Sequence, residues 1–236
     1  MLNSIPSVIQ RVADKIPSIR RYLTGKALAM SFGLKTYEYY RTTITHMVSL
    51  VYQGFMGPEF MSIMENLVKG QLSDAYERAL ADNGLSPEDA TIEMRIELQG
   101  FIESEWTHIE QFYSDIIDAL IDKTPLDPLL ARAELWAGRW NDVYNAAEIT
   151  INKQMGGKLV WRLGATEEHC QSCLQLNGIV AFAREWDESG VRPQNPPNSA
   201  LTCGGWRCDC SLEPTDKRRS PNALSRILDI AVSGNV

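Results

Sequence analysis

Histidine is scarce in this chain: His46, His108 and His169 are the only three in 236 residues. None stands in an H-E-x-x-H run, in a recognisable triad context, or in the H-x-E…P-C-x-x-C arrangement of zinc deaminases. A Walker A loop, a G-x-G-x-x-G turn and a G-x-S-x-G elbow are also missing. The common templates for phosphate cradling, dinucleotide binding and serine hydrolysis therefore fail, and the expectation is a protein that is not an enzyme and takes no small-molecule substrate. Long apolar runs are absent too. The uncharged stretch from Thr42 to Pro58 holds Thr, Ser, His, Gln and Gly, too short and too polar for a bilayer that needs about 20 apolar residues. Residues 1–30 carry Arg and Lys without an unbroken apolar h-region, so no export signal is read there and no membrane partner is expected. Cysteine is absent from the first 169 positions and totals five. That is too few for a disulfide scaffold, and the number is odd. In the reducing cytoplasm expected for this chain, clustered thiols point to metal.

What remains is ordinary globular composition, 44% hydrophobic and 22% charged, enough for one large domain or two modest ones. The net charge of −7 excludes a generic DNA-coating protein, but it hides an asymmetry. Residues 1–58 carry seven basic and two acidic side chains. Residues 59–134 carry five basic and seventeen acidic, and residues 135–236 eleven of each. The basic segment offers Arg11, Lys15, Arg20, Arg21, Lys26, Lys35 and Arg41 as candidate partner-binding residues, for an acidic protein surface or for DNA phosphates. Tyr37, Tyr39 and Tyr40 beside Arg41 fit an interface or a core. The acidic block reads as the solvated face of long helices or as an inter-subunit surface.

Residues 1–157 read as helical. Phe60, Ile63, Met64, Leu67, Val68, Leu72, Ala75, Tyr76 and Ala79 form one apolar stripe that should stop at Asn83-Gly84. Ser86-Pro87-Glu88-Asp89 reads as a restart, with Ser86 as cap and Pro87 in the first turn. A long helix then carries Ile92, Ile96, Ile102, Trp106, Ile109, Tyr113, Ile116 and Leu120 on one side for about eight turns. Gly100 interrupts it at a cost of roughly 1 kcal/mol. A further helix runs from about Pro128 to Met155 and ends at Gly156-Gly157.

After Gly157 the texture changes. Lys158–Leu163 and Gly178–Phe182 have strand composition, and Trp206–Leu212 reads as a third strand. Residues 158–213 form a small α+β unit with little core of its own, and 214–236 a tail or short helix. The fold class is mainly α with a small C-terminal α+β module stabilised by zinc, because a unit below about 70–80 residues needs a staple. Cys170 and Cys173 are spaced C-x2-C. Cys203, Cys208 and Cys210 follow as C-x4-C-x-C. Two thiolates from a tight turn and two from a distant segment suit structural Zn2+, which takes four ligands at about 2.3 Å for sulfur. Five cysteines compete for four places: Cys170, Cys173 and Cys208 first, with Cys203 and Cys210 rivals for the last. His169 is a further donor but adjoins Cys170. Glu167 and Glu168 read as a solvated turn rather than a general base.

At these residues the sequence resembles a known family. Trp161-x8-Cys170-x2-Cys173-x2-Leu176-x-Gly178-x-Val180, then Pro196-Pro197, then Cys203-x4-Cys208-Asp209-Cys210-x-Leu212, is similar to the C-terminal domain of Mu F-like phage minor head proteins, also called head morphogenesis proteins. The likeness covers about residues 125–213. It departs in the second half: the family's His after the Pro pair is missing, and Cys203 stands roughly in its place. The resemblance implies a structural component of the virion, assembled in the bacterial host cytoplasm with portal and capsid proteins. It further implies action near the portal in procapsid assembly, with packaged DNA as a further contact.

Overall fold

A computed structural model describes residues 33–165, 168–206 and 209–233. Arg11, Lys15, Arg20, Arg21, Lys26, Glu167 and Cys208 lie outside the described residues. The chain is mainly helical with one small antiparallel sheet, and it divides into two compact units.

One unit takes residues 35–76 and 91–144. It contains α1 (Tyr37–Tyr52), most of α2 (Glu59–Asp82), α3 (Ile92–Trp106), α4 (Ile109–Asp122) and the first part of α5 (Asp127–Gln154). Apolar residues at three- and four-residue steps bury Ile44, Val48 and Val51 of α1 and Phe60, Met64, Val68 and Leu72 of α2. Phe112 is the hub. Its ring meets Phe60 edge-on at 6.3 Å, lies near-parallel to Trp136 at 5.9 Å, and carries the Arg132 guanidinium 4.7 Å from its centroid. Gln71 is fully buried and donates its amide to the Trp136 and Ala137 carbonyls.

Two sequence expectations are corrected here. The long helix is two helices, broken at Thr107-His108. Ile92 and Ile96 are 78% and 68% exposed, so the stripe does not run the whole length. Ser86 does not cap a long helix. It closes a capping box with Asp89 on a single 3-10 turn, Pro87–Asp89. Ala90 is extended, and Thr91 caps α3 by accepting the Met94 N–H.

The other unit takes residues 77–90 and those from Asn145 on. Within it, Asn83 at the end of α2 donates its amide to both oxygens of Glu148, at 3.1 and 3.0 Å, and Asn152 donates to Glu148 and to Asn83. All three are buried. The sheet has the order β2-β1-β3, with β1 Lys158–Arg162, β2 Val180–Phe182 and β3 Ser211–Pro214. Lys158 pairs with Phe182 and Trp161 with Leu212. Between the strands lie α6 (Gln171–Leu176) and α7 (Ala183–Ser189), and α8 (Ala223–Ser233) follows β3.

The third strand therefore starts at Ser211, not at Trp206. Trp206 sits in a turn, 46% exposed, and Cys210 precedes the strand. Nor is the core small. Trp161 and Trp186 are fully buried with ring centroids 5.8 Å apart, and Leu159, Leu176, Ile179, Val191, Leu201 and Leu212 pack in the same cluster. Ile149 of α5 and Ala223 and Ile227 of α8 join it, so helices before and after residues 158–213 complete that core.

Both outer edges of the sheet are occupied by groups that are not strands. The Val180 N–H donates to Ser220 Oγ, and the Val180 carbonyl accepts the Ser220 N–H at 2.8 Å. The Phe182 N–H donates to Glu185. On the opposite edge the Leu212 N–H donates to Asn145 Oδ1 at 2.9 Å.

Candidate metal centre

Cys170 ends the loop after β1 in extended conformation and caps α6, its Sγ accepting the Cys173 N–H at 3.4 Å. One helical turn thus brings the two sulfurs of the C-x2-C pair together. Cys173 is buried and belongs to the tryptophan-lined core, whereas Cys170 is half-buried and packs against that core.

The third sulfur arrives from thirty residues away. Cys203 lies in a turn whose backbone is closed on itself: Gly204 N–H donates to the Leu201 carbonyl at 2.7 Å, and Asn198 N–H to the Gly204 carbonyl at 2.8 Å. Gly205 has φ +78°, and a Cβ there would meet the Asn195 carbonyl carbon at 2.9 Å, so only glycine lets this turn press against the Pro-rich loop. The two thiol-bearing segments are fastened by Ser172 and Thr202. Ser172 N–H donates to Thr202 Oγ1, and Thr202 N–H donates to Ser172 Oγ.

The result is three sulfurs, from Cys170, Cys173 and Cys203, all within 4.8 Å of one another. Tetrahedral zinc with sulfur at about 2.3 Å requires sulfur pairs about 3.8 Å apart, so small side-chain rotations close this cluster on a metal. The donor set is soft and suits zinc. None of the four described cysteines is in a disulfide.

Cys210 is fully buried in the same core cluster. Its carbonyl accepts the buried Gln194 amide at 3.1 Å. Gly164 presses on the neighbouring Asp209, where a Cβ would lie 2.2 Å from the carbonyl oxygen. The Cys203 turn is therefore held by backbone contacts with the 195–198 loop, and the Cys210 segment by the Gln194 side chain and the close approach of Gly164 at the β1 exit. Sequence reasoning named the cysteines but missed Ser172, Thr202, Gln194 and Gly164. Only Gly164 carried a signal, as a glycine just past a strand.

The acidic candidates disperse. Glu168 is exposed and His169 half-buried, and Asp187 is paired with Lys153 at 2.7 Å. Glu185 is held below the ordinary carboxylate range by its hydrogen bonds from the Arg219 guanidinium, so one cation of the Lys217-Arg218-Arg219 run is neutralised. Of the basic segment, the Lys35 ammonium sits 4.6 Å from the Tyr39 ring centroid, and Arg41 reaches Glu134 at 2.7 Å. That hydrogen bond to Glu134 holds the Arg41 pKa above its ordinary value. Tyr40 is buried and donates to Asp74, so it is core, while Tyr39 is exposed. Among the described residues no helix is long and apolar enough to cross a membrane. Comparison with family models, with curated proteins and with solved structures gave no match.

Proposed function

We propose that this chain is a zinc-stapled minor head protein that acts with the portal in phage head assembly. The observation that carries the reading is the convergence of Cys170, Cys173 and Cys203 within 4.8 Å. Those are residues of the motif on which the resemblance to the Mu F-like family rests, brought together across a thirty-residue loop as a structural metal requires. Zinc would be held by these three and by Cys208 or Cys210, and it would supply folding free energy rather than a reaction. An all-sulfur set tends to be closed, without the open position that a catalytic zinc keeps for water. The role is therefore structural.

The partners in this reading are portal and capsid proteins, with packaged DNA as a further contact. The binding cations of the basic segment in this reading are Arg11, Lys15, Arg20, Arg21, Lys26, Lys35 and Arg41, the last also bonded to Glu134.

Quantitative mass spectrometry of procapsids and mature particles tests the reading. A few copies per particle, scaling with the portal, are expected. Absence from both particle types overturns the virion role, and a zinc-ribbon nucleic-acid binder then becomes the reading to pursue, through salt-dependent affinity for DNA.

A further inference from the structure

We propose that Cys170 and Cys173 are a peroxide-oxidisable dithiol, so that the centre exchanges its metal for a disulfide. The exchange rests on the zinc reading above, but the dithiol itself does not.

Three observations lead here. First, the two thiols differ in access. Cys170 is half-buried, within reach of a small polar oxidant, whereas Cys173 is 1% exposed. One sulfur is placed to meet the oxidant and the other to resolve the product. Second, the pair is already apposed. The Cys173 N–H points at Cys170 Sγ, and the two residues sit across the first turn of α6. Residues three apart on a turn satisfy the Cα spacing of a disulfide, about 4.4–6.8 Å. Third, the chain has five cysteines for a four-ligand metal. Cys203 lies in the same cluster, its sulfur within 4.8 Å of both others, so oxidation of the pair takes two of its three converging thiols.

The oxidant is a hydroperoxide, hydrogen peroxide being the simplest. The Cys170 thiolate attacks one peroxide oxygen and the O–O bond breaks. Sulfur becomes a sulfenic acid, and the second oxygen leaves as hydroxide, which takes a proton to form water. The Cys173 thiolate then attacks that sulfur. The S–S bond forms and the sulfenic oxygen departs as a second hydroxide, also protonated to water. The two sulfurs lose two electrons in all, and one peroxide is reduced to two waters. A disulfide sulfur carries no charge and is a poor ligand for zinc. Cys203 with one further thiolate cannot hold the ion in a tetrahedron, so it leaves.

The experiment uses the full chain, loaded with zinc under reducing conditions and freed of excess metal and reductant. Hydrogen peroxide is added in the presence of a zinc-responsive chelating dye, and the cysteines are mapped by mass spectrometry after alkylation. The expected result is one zinc released per disulfide, with the disulfide joining Cys170 to Cys173, and full recovery of bound zinc on adding dithiothreitol and metal. Cys203→Ser keeps the Cys170–Cys173 disulfide. Without metal, the double variant Cys173→Ser, Cys203→Ser leaves Cys170 as a sulfenic acid that a dimedone-type probe labels. Failure to form the disulfide under excess peroxide overturns the proposal, as does oxidation that passes straight to sulfinic acid or pairs other cysteines. If the reduced chain binds no zinc at all, the metal reading fails by itself, and the mapping of the same sample still decides the dithiol.

Discussion

The hydroxyls of Ser172 and Thr202 lie 2.6 Å apart, and each also accepts the backbone N–H of the other residue. Ser172 adjoins Cys173 and Thr202 adjoins Cys203. The pair forms a reciprocal clasp between the two segments that bring the sulfurs together, yet neither residue is a metal ligand. Ser172→Ala and Thr202→Val each remove one side of it and leave every thiol in place. Zinc affinity is expected to fall about 10–100-fold in each, the usual penalty for losing an outer-shell contact. The double variant should lose less than the sum of the two, because both break one network. Competition against a chelator of known affinity gives the numbers. Unchanged affinity in both would show that the thiols alone organise the centre.

Removing a ligand should act differently. Cys170→Ser or Cys173→Ser is expected to abolish zinc binding and to expose residues 158–212 to protease, while the helices of residues 35–144 keep their circular dichroism. Metal content and limited proteolysis, run on the same preparation, check this. Retained zinc together with retained protease resistance would remove the staple.

Gly164 is held by contact rather than by chemistry. A methyl group there would lie 2.2 Å from the Asp209 carbonyl oxygen and 2.4 Å from its carbon, which backbone atoms cannot tolerate without moving. Gly164→Ala is expected to destabilise the unit by about 1–3 kcal/mol, the range for forced overpacking, and to weaken zinc binding. Urea unfolding of the zinc-loaded chain reads the first effect.

The Glu185–Arg219 pair predicts an acid-side response. Arg219 holds the Glu185 carboxyl below its ordinary value of 4.5. The unfolded chain therefore takes up its proton at higher pH than the folded one. The stabilisation is complete above the ordinary value and disappears as pH falls through the depressed one. Glu185→Gln should lower the melting temperature at neutral pH and flatten its decline below about pH 5. An unaltered acid limb in this variant would mean that the pair does not contribute to acid stability.

Ile96 and Ile102 occupy one helix and one sequence pattern, but Ile96 is 68% exposed and Ile102 is 3% exposed. Ile96→Ala should change stability by less than about 0.5 kcal/mol, as surface substitutions do, whereas Ile102→Ala should cost about 2–5 kcal/mol. Thermal or urea unfolding of the pair of variants separates them.

This last contrast shows where the sequence was readable. The stripe of α2, apart from the exposed Ile63, and the start and stop of α5 followed from period and glycine, because those helices bury one continuous face. The break at Thr107-His108 did not, since neither residue is a helix breaker and the apolar spacing continues across it. Gly100, the more obvious interruption, lies inside α3. In the cysteine-bearing half, cysteine spacing was sufficient to name the ligand candidates. The register of β3 was not legible: Cys208 and Cys210 alternate like strand residues, yet the Cys210 carbonyl is claimed by the Gln194 side chain and pairing begins only at Ser211. Side-chain bonds from a distant loop leave no periodic trace. The same holds for Asn83, which read as a helix terminator and proves to be part of a buried network with Glu148 and Asn152.

The closed edges of the small sheet bear on how this chain meets other proteins. In an antiparallel strand every second N–H points away from the neighbouring strand. On the free side of β3 those positions are Leu212, already bonded to Asn145, and Pro214, which has no N–H to offer. On the free side of β2 they are Val180 and Phe182, bonded to Ser220 and Glu185. An incoming peptide strand finds no donor ladder on either flank, so recruitment by strand addition is shut off. A protein that contacted this sheet at its edges would have to do so through side chains. Such a contact would read surface chemistry and gain no main-chain pairing from the sheet. Crowding many copies together likewise gives the sheet no route to grow from one molecule into the next.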